Sequence, residues 1–297
     1  MIKSFLNYPG GKYRLLSQIL PLFPKDYDQF VDMFTGSAVV AVNSELSVPI
    51  FAYDLNSKLI ELLRFVQSVS VDNFIGKVEE LIAQYNLSNT GLNGYDYYGL
   101  NSSIGVSSYN KRGYMNLRQD YNNGNTGNVA SEIYLYILIV YGFNNQIRFN
   151  KKGMFNNPTG KRDFNEKMQK KLIDFSRRVQ NMDIDFIVSD YNDVSEKLMN
   201  AFYYVDPPYL ITTAVYNENG GWSKKHEINL LNKLDAIDDA GNTFALSNVL
   251  TAKGKHNEIL SEWSKKYIVH HLNMKYDNAN YQASDSAVVD EVLITNY

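Results

Sequence analysis

The residues best placed to do chemistry are Asp206-Pro207-Pro208-Tyr209, which follow a short apolar run, Phe202-Tyr203-Tyr204-Val205. Four apolar or aromatic residues halted by an acid and two prolines read as a buried strand and its end. Each proline fixes its own φ, lacks an N–H and pushes the preceding residue towards an extended backbone, so the strand ends in a stiff ledge. Open α/β sheets place ligands at such carboxyl ends. Two acceptors leave the ledge, the Asp206 carboxylate and the Pro207 carbonyl, and Tyr209 adds a flat face. That set fits an exocyclic amino group on an aromatic ring. Such a nitrogen is a poor nucleophile because its lone pair is delocalised. Accepting both of its N–H bonds favours a pyramidal nitrogen whose lone pair points towards an electrophilic methyl, with the aspartate as positioned charge for a developing cation. A rigid turn after a strand is the plainer reading of the same four residues.

Other segments must position this ledge. Near the start, Asn7-Tyr8-Pro9-Gly10-Gly11-Lys12 makes a tight loop whose backbone N–H groups can approach a ligand, and Leu15 to Leu22 reads as a helix ended by Pro21 and Pro24. Lys12 reads equally as a solvated surface charge. Phe30-Val31-Asp32-Met33-Phe34 is a strand that runs into the small-residue turn Thr35-Gly36-Ser37, and a helix rich in Ala and Val is expected after it. Ile50-Phe51-Ala52-Tyr53-Asp54 is a second strand ending in an acid placed to accept both hydroxyls of a ribose, and Asp54-Leu55-Asn56 reads equally as the N-cap of a helix from Ser57 to Val69, the two readings being compatible. The glycine turn and the acid together suggest an adenosine-containing cofactor.

From about Asn86 to Asn128 the chain is rich in Asn, Gly, Ser and Tyr, a composition of loops around short helices. Ile133 to Val140 is a strongly apolar helix. Beyond it, residues 141–162 interleave Asn144, Gln146, Arg148, Asn150, Lys151, Lys161 and Arg162 with Phe143, Phe149 and Phe155. Amides read adenine edges, arginine reads guanine and lysines hold phosphates, so this stretch is the expected DNA contact. Basic residues outnumber acidic ones from Arg148 to Arg178, against a net charge of −3 for the whole chain, so any nucleic-acid footprint is local. Phe186-Ile187-Val188 is a further strand with Asp190-Tyr191 at its end, and Thr212 to Lys225, with Tyr216, Gly220-Gly221 and Trp222, is placed to fold over a bound base. Alternating helices and strands to Tyr297 complete a mixed sheet with helices on both faces.

Composition sets the remaining limits. At 297 residues the chain can hold one large domain or two. The absence of cysteine excludes disulfides, thiolate metal sites and cysteine catalysis. His226, His256, His270 and His271 share no ligand spacing, so no metal is expected. No apolar run reaches membrane-spanning length and the N-terminus lacks a signal core, so a soluble cytoplasmic protein without membrane partner is expected.

Taken in order, Asn-Tyr-Pro-Gly-Gly-Lys, Phe-Thr-Gly-Ser, Asp54 after a strand, Asn-Lys-Lys-Gly-Met-Phe-Asn-Asn-Pro-Thr-Gly-Lys and Asp-Pro-Pro-Tyr resemble the DNA adenine N6-methyltransferases of the Dam type, the D12 class, over nearly the whole chain. The resemblance implies an α/β, Rossmann-like methyltransferase with a mixed, mostly parallel seven-stranded sheet and an inserted, mostly helical target-recognition domain. Residues 1–65 and 180–297 would form the catalytic domain and 66–179 the insertion. It implies S-adenosylmethionine as methyl donor, with Tyr8, Gly10, Lys12, Asp32, Phe34, Gly36, Ser37, Asp54, Asp190, Tyr191 and Asp206 lining its site. Asp206, Pro207, Pro208 and Tyr209 would hold an adenine flipped out of double-stranded DNA. Asn7, Asn144, Gln146, Arg148, Asn150, Lys151, Pro158, Lys161 and Arg162 would contact the DNA. A bacterial or phage-encoded monomer or weak dimer acting on the nucleoid is implied, in or outside a restriction–modification system.

Relatives that methylate GATC commonly carry a lysine at the position of Asn7, and Tyr and Leu where this chain has Phe143 and Gln146, so GATC is a candidate target only. Ala38 replaces the second glycine of the cofactor turn. Two alternatives stay open: an amino-group methyltransferase acting on RNA or on a protein glutamine, which uses related Pro-Pro-aromatic ledges, and a non-catalytic DNA-binding relative.

Overall fold

A computed structural model of the chain describes residues 1–44, 47–212, 221–273 and 289–297. Of the segment expected to cover a bound base, Tyr216 and Gly220 lie outside the described residues. Among the described residues the strands are β1 (Gln29–Asp32), β2 (Ile50–Asp54), β3 (Ile184–Val188), β4 (Ala201–Val205), β5 (Thr243–Ala252), β6 (Lys255–His256), β7 (Ile268–Leu272) and β8 (Asp290–Thr295). The α-helices are α1 (Leu16–Ile19), α2 (Ser57–Ser68), α3 (Val71–Gln84), α4 (Thr90–Asn93), α5 (Ser107–Asn123), α6 (Ser131–Val140), α7 (Glu166–Val179), α8 (Lys224–Asp239) and α9 (Glu258–Trp263).

The chain divides into two compact units. One comprises Lys12–Thr35, Asn43–Leu55 and Asp183–Tyr297 and holds the whole sheet. Its strand order is β3-β2-β1-β4-β5-β8-β7, with β6 paired to β5 beside that path. Pairs β2–β3, β1–β2, β1–β4 and β4–β5 are parallel, and β5–β8 and β7–β8 are antiparallel. This is the expected mixed, mostly parallel sheet, with eight strands where seven were expected, because the two-residue β6 pairs with β5 beside the path. β4 lies between β1 and β5, and Ala201 to Val205 are all buried, which is why that segment is unbroken in apolar and aromatic residues. One face of the sheet packs Val31, Tyr203, Val205, Leu230, Leu234, Phe244 and Ile294 into a core. The other gathers Phe23, Tyr27, Phe30, Phe202 and Tyr297, with ring centroids 4.7–6.4 Å apart.

Two local expectations are corrected. The helix read from Leu15 to Leu22 is a 3₁₀ turn at Lys12–Arg14, a single turn of α1 and a second 3₁₀ turn at Leu20–Leu22. Pro21 has no N–H to give to Ser17, so the α ladder stops there. The helix expected after Gly36-Ser37 is a run of turns with a 3₁₀ segment at Ala41–Asn43. Ala38 sits at φ +57°, a left-handed backbone that interrupts right-handed helix.

The other unit comprises Met1–Gly11, Gly36–Val42 and Asn56–Met182 and contains α2 to α7. α6 is buried on all sides from Ile133 to Val140, as its uniformly apolar sequence requires. Its Tyr136 meets Phe5, Phe74 and Phe164 at 5.2–6.0 Å between centroids. The start of α2 is capped by Asn56, whose side chain accepts from Leu59 N at 3.2 Å, as the capping reading of Asp54-Leu55-Asn56 expects. In α5, a Cβ added at Gly113 would lie 2.0 Å from Tyr85 O. Gly113→Ala is therefore expected to destabilise this unit by roughly 3 kcal/mol, read as a lowered thermal midpoint. A midpoint equal to the parent protein's would show that α5 does not depend on this close approach.

Candidate active site

In the sheet unit, β1 leads through β2 to β3 on one side, while β4 and β5 lie on the other. The reversal of strand order between β1 and β4 is the place where open α/β sheets bind ligands, outside the carboxyl ends of the strands. Acids stand at those ends: Asp32 closes β1, Asp54 closes β2, Asp190 follows β3 and Asp206 follows β4.

Asp206 is held by a cation. The Lys12 ammonium, carried on the 3₁₀ turn Lys12–Arg14, lies 2.8 Å from Asp206 Oδ1 and 3.5 Å from Glu291 Oε1. It also donates to the Tyr209 hydroxyl and sits 4.8 Å from that ring's centroid. The hydroxyl lies 3.1 Å from Asp206 Oδ1 and 3.3 Å from Glu291 Oε1. The side chains of Lys12 and Glu291 are 6 and 4 % exposed and that of Asp206 is 18 % exposed. Asp206 is therefore the most accessible of the three charged side chains. Lys12 is thus no solvated surface charge.

Burial sets the electrostatics of the cluster. It would by itself discharge Lys12, but the carboxylates of Asp206 and Glu291 and the Tyr204 phenol outweigh it and hold the ammonium above the usual lysine value. Burial raises the Asp206 carboxyl, with Lys12 and the Tyr209 hydroxyl opposing. It raises Glu291 likewise, against Lys12. Asp32 is pushed up to about 8 by burial, with the Thr35 hydroxyl and Phe34 N–H opposing and the Asp206 charge adding to the rise. Its Oδ2 accepts from Thr35 Oγ1 at 3.0 Å, and its Oδ1 is buried without a hydrogen-bond partner. Thr35 N in turn donates to Tyr53 O at 2.8 Å, which ties the turn after β1 to β2.

An aromatic group stands beside these acids. Phe34 stacks on Tyr191 with centroids 5.4 Å apart, and Trp222 meets them at 5.8 and 5.5 Å. The Trp222 indole N–H donates to Glu227, which is fully buried and also accepts from Asn248 and Asn257. Asp190 accepts from Asn192 N at 2.9 Å and so caps the turn that carries Tyr191. Sequence reasoning missed Glu227, Asn248 and Glu291. Only Glu291 had a signal, a carboxylate leading directly into the apolar run Val292-Leu293-Ile294 of β8.

The remaining expected cofactor residues, Tyr8, Gly10, Gly36 and Ser37, belong to the helical unit. Gly36 has φ +48°, and a Cβ there would lie 3.1 Å from the Tyr8 ring, so that turn needs glycine on both counts.

The helical unit also carries the expected DNA-contact residues. Residues 142–160 form a hairpin, bridged at Gly142–Thr159 and Phe149–Phe155. Its base is tied by Asn157, fully buried, which donates to Phe143 O at 3.0 Å and Gln146 O at 3.2 Å. Its tip is closed by Asn150, whose side-chain oxygen accepts from Lys152 N and Met154 N. Asn144, Arg148, Asn150, Lys151, Pro158, Lys161 and Arg162 are exposed, and Gln146 is half-buried. Asn7, also exposed, donates to Asn145 Oδ1 at 3.3 Å and accepts from the Lys171 ammonium. Asn157 was not singled out in the sequence, since nothing separates an anchoring amide from its neighbours there.

The sequence model of the D12 class N6 adenine-specific DNA methyltransferases matches residues 8–278. The chain belongs to this family. It is 39 % identical over its whole length to the type II methyltransferase M.FokI of Planomicrobium okeanokoites and 38 % identical, again over its whole length, to the modification methylase StsI of Streptococcus sanguinis. It spans 43 % of the length of each of those relatives. The DNA adenine methylase of Escherichia coli strain K12 is 28 % identical over 72 % of the chain and 68 % of that protein. Among the described residues, no helix is long and apolar enough to cross a membrane and no His, Cys, Asp or Glu cluster is arranged to hold a metal ion.

Proposed function

We propose that this protein methylates N6 of an adenine flipped out of double-stranded DNA, with S-adenosylmethionine as donor. The observation that carries the reading is the partly exposed Asp206 carboxylate, held by Lys12 at the end of β4 where the strand order reverses. When bound, S-adenosylmethionine supplies an electrophilic methyl on a cationic sulfur. The donor set suits such a group: acceptors at the ends of β1 to β4, aromatic faces on Phe34, Tyr191 and Trp222, and a buried, unpartnered Asp32 oxygen. Asp54 would hold the ribose, and Asp190-Tyr191 the adenine end. Tyr8, Gly10, Gly36 and Ser37 are assigned to the same cofactor.

The protein's own part is positional and electrostatic. Asp206 and the Pro207 carbonyl accept the two N–H bonds of the target amino group, which turns its lone pair out of the ring plane. Pro208 stiffens the ledge and Tyr209 lends the base an aromatic face. The basic hairpin and residues 66–179 around it serve as the recognition domain, with Asn7, Asn144, Gln146, Arg148, Asn150, Lys151, Pro158, Lys161 and Arg162 against DNA. Residues 1–65 and 180–297 then serve as the catalytic domain, working in a bacterial or phage-infected cytoplasm. The relatives named as modification methylases support a role beside a restriction enzyme.

Transfer of labelled methyl groups to duplex DNA, with RNA and protein in parallel, tests the reading, and sequencing of the modified adenines reports the target. GATC is the first site to inspect. Label in DNA adenine is expected; label confined to RNA or protein would contradict the proposal. Arg148→Ala is expected to weaken discrimination at one base by about 1–3 kcal/mol. Unchanged discrimination on a panel of duplexes would remove that residue from base reading.

A further inference from the structure

We propose that Glu291 is a positioning residue for methyl transfer, holding the Lys12 ammonium and the Tyr209 hydroxyl so that Asp206 keeps acceptor capacity for the target amino group. This rests on the reading of Asp206 given above. Glu291 lies in β8, in register with Val249 of β5 and Leu272 of β7, and is 3 % exposed. A carboxylate persists at such a position only where it is paired, and its partners are the two groups that also grip Asp206.

Among the described residues, Asp206 is met through one oxygen, Oδ1, by Lys12 at 2.8 Å and Tyr209 at 3.1 Å. The Tyr209 hydroxyl has a single proton and two carboxylates within reach. Whatever share Glu291 takes of that proton and of the lysine is withdrawn from Asp206. The charge sum points the same way. Lys12 and Asp206 alone cancel, which leaves nothing to favour a cationic donor or the charge developing on the target nitrogen. With Glu291 the group carries a net negative charge. Asp32 adds little at neutral pH because burial pushes its carboxyl up to about 8. The titratable groups facing Asp206 and Glu291 are Lys12 from the 3₁₀ turn, Asp32 from β1, Tyr204 from β4 and Tyr209 from the ledge.

The test is steady-state methylation of duplex DNA by the 297-residue chain, wild type beside Glu291→Gln. The substitution is expected to lower kcat roughly tenfold to hundredfold, with KM for DNA and Kd for S-adenosylmethionine changed less than about threefold. Removing the neighbouring negative charge lets Asp206 ionise at lower pH, so the acidic limb of kcat should move down by about one pH unit. In a Lys12→Met background the same substitution should cost less than about threefold, because its effect runs through the lysine. If Glu291→Gln unfolds, Glu291→Asp decides the matter. It keeps the charge but draws it back by one methylene, and a smaller kcat loss at unchanged KM is expected. A Glu291→Gln protein that is less stable but keeps wild-type kcat and acidic limb would overturn the proposal, as would a Glu291→Asp protein of full kcat where that variant decides. A wild-type protein that methylates no DNA overturns the reading beneath it, which keeps the two failures distinct.

Discussion

Replacing Asp206 by alanine is expected to lower methyl transfer by roughly a thousandfold or more, with cofactor affinity changed by only a few-fold. The size follows from what the carboxylate supplies. In the proposed mechanism it is one of two acceptors that pyramidalise the target nitrogen, and the negative charge nearest the cation that would form there. It is also the member of the buried cluster that a ligand reaches, since Lys12 and Glu291 are almost fully enclosed. Asp206→Asn keeps an acceptor oxygen and loses the charge, so it should fall between wild type and Asp206→Ala. Single-turnover rates with saturating DNA and cofactor separate these effects from binding. Near-normal turnover in Asp206→Ala would remove the mechanism.

Lys12→Met is expected to cost about 3–5 kcal/mol of stability at neutral pH. Removing this cation leaves Asp206 and Glu291 buried, close together and without their shared counter-charge. Both carboxyls are already raised by burial with Lys12 in place, and its loss raises them further. The direction of the pH dependence follows. A carboxyl that holds its proton more tightly in the folded than in the unfolded protein favours the fold while protonated, and that favour is lost as pH rises through its folded value. The deficit of Lys12→Met should therefore be largest at neutral pH and shrink as pH falls towards the ordinary carboxyl values of 3.8 and 4.5. Denaturant unfolding at several pH values checks this. A deficit that does not change with pH would mean that lost packing, and no unpaired charge, explains the loss.

The ledge was legible in the sequence because its signals are local. Val205 to Tyr209 announce a strand, its end and two acceptors within five residues, and Asp32, Asp54 and Asp190 follow apolar runs in the same way. The sheet was legible for a related reason, as buried parallel strands are written as short apolar stretches between helices. Lys12 and Glu291 stand at opposite ends of the chain, and no spacing rule links two residues joined only by the topology of a sheet. Glu227 and Asn157 were hidden likewise, since a buried anchoring side chain has the same letter as an exposed one. The turn after Gly36 was misread because Ala38, a good helix former, adopts a left-handed backbone there.

The most direct measurement is nucleoside analysis of duplex DNA after incubation with the 297-residue chain and S-adenosylmethionine, beside an Asp206→Ala control. N6-methyladenine is expected with wild type and is expected to be absent with the control. Methyl groups found on cytosine, or equal methylation by both proteins, would contradict an adenine held by Asp206.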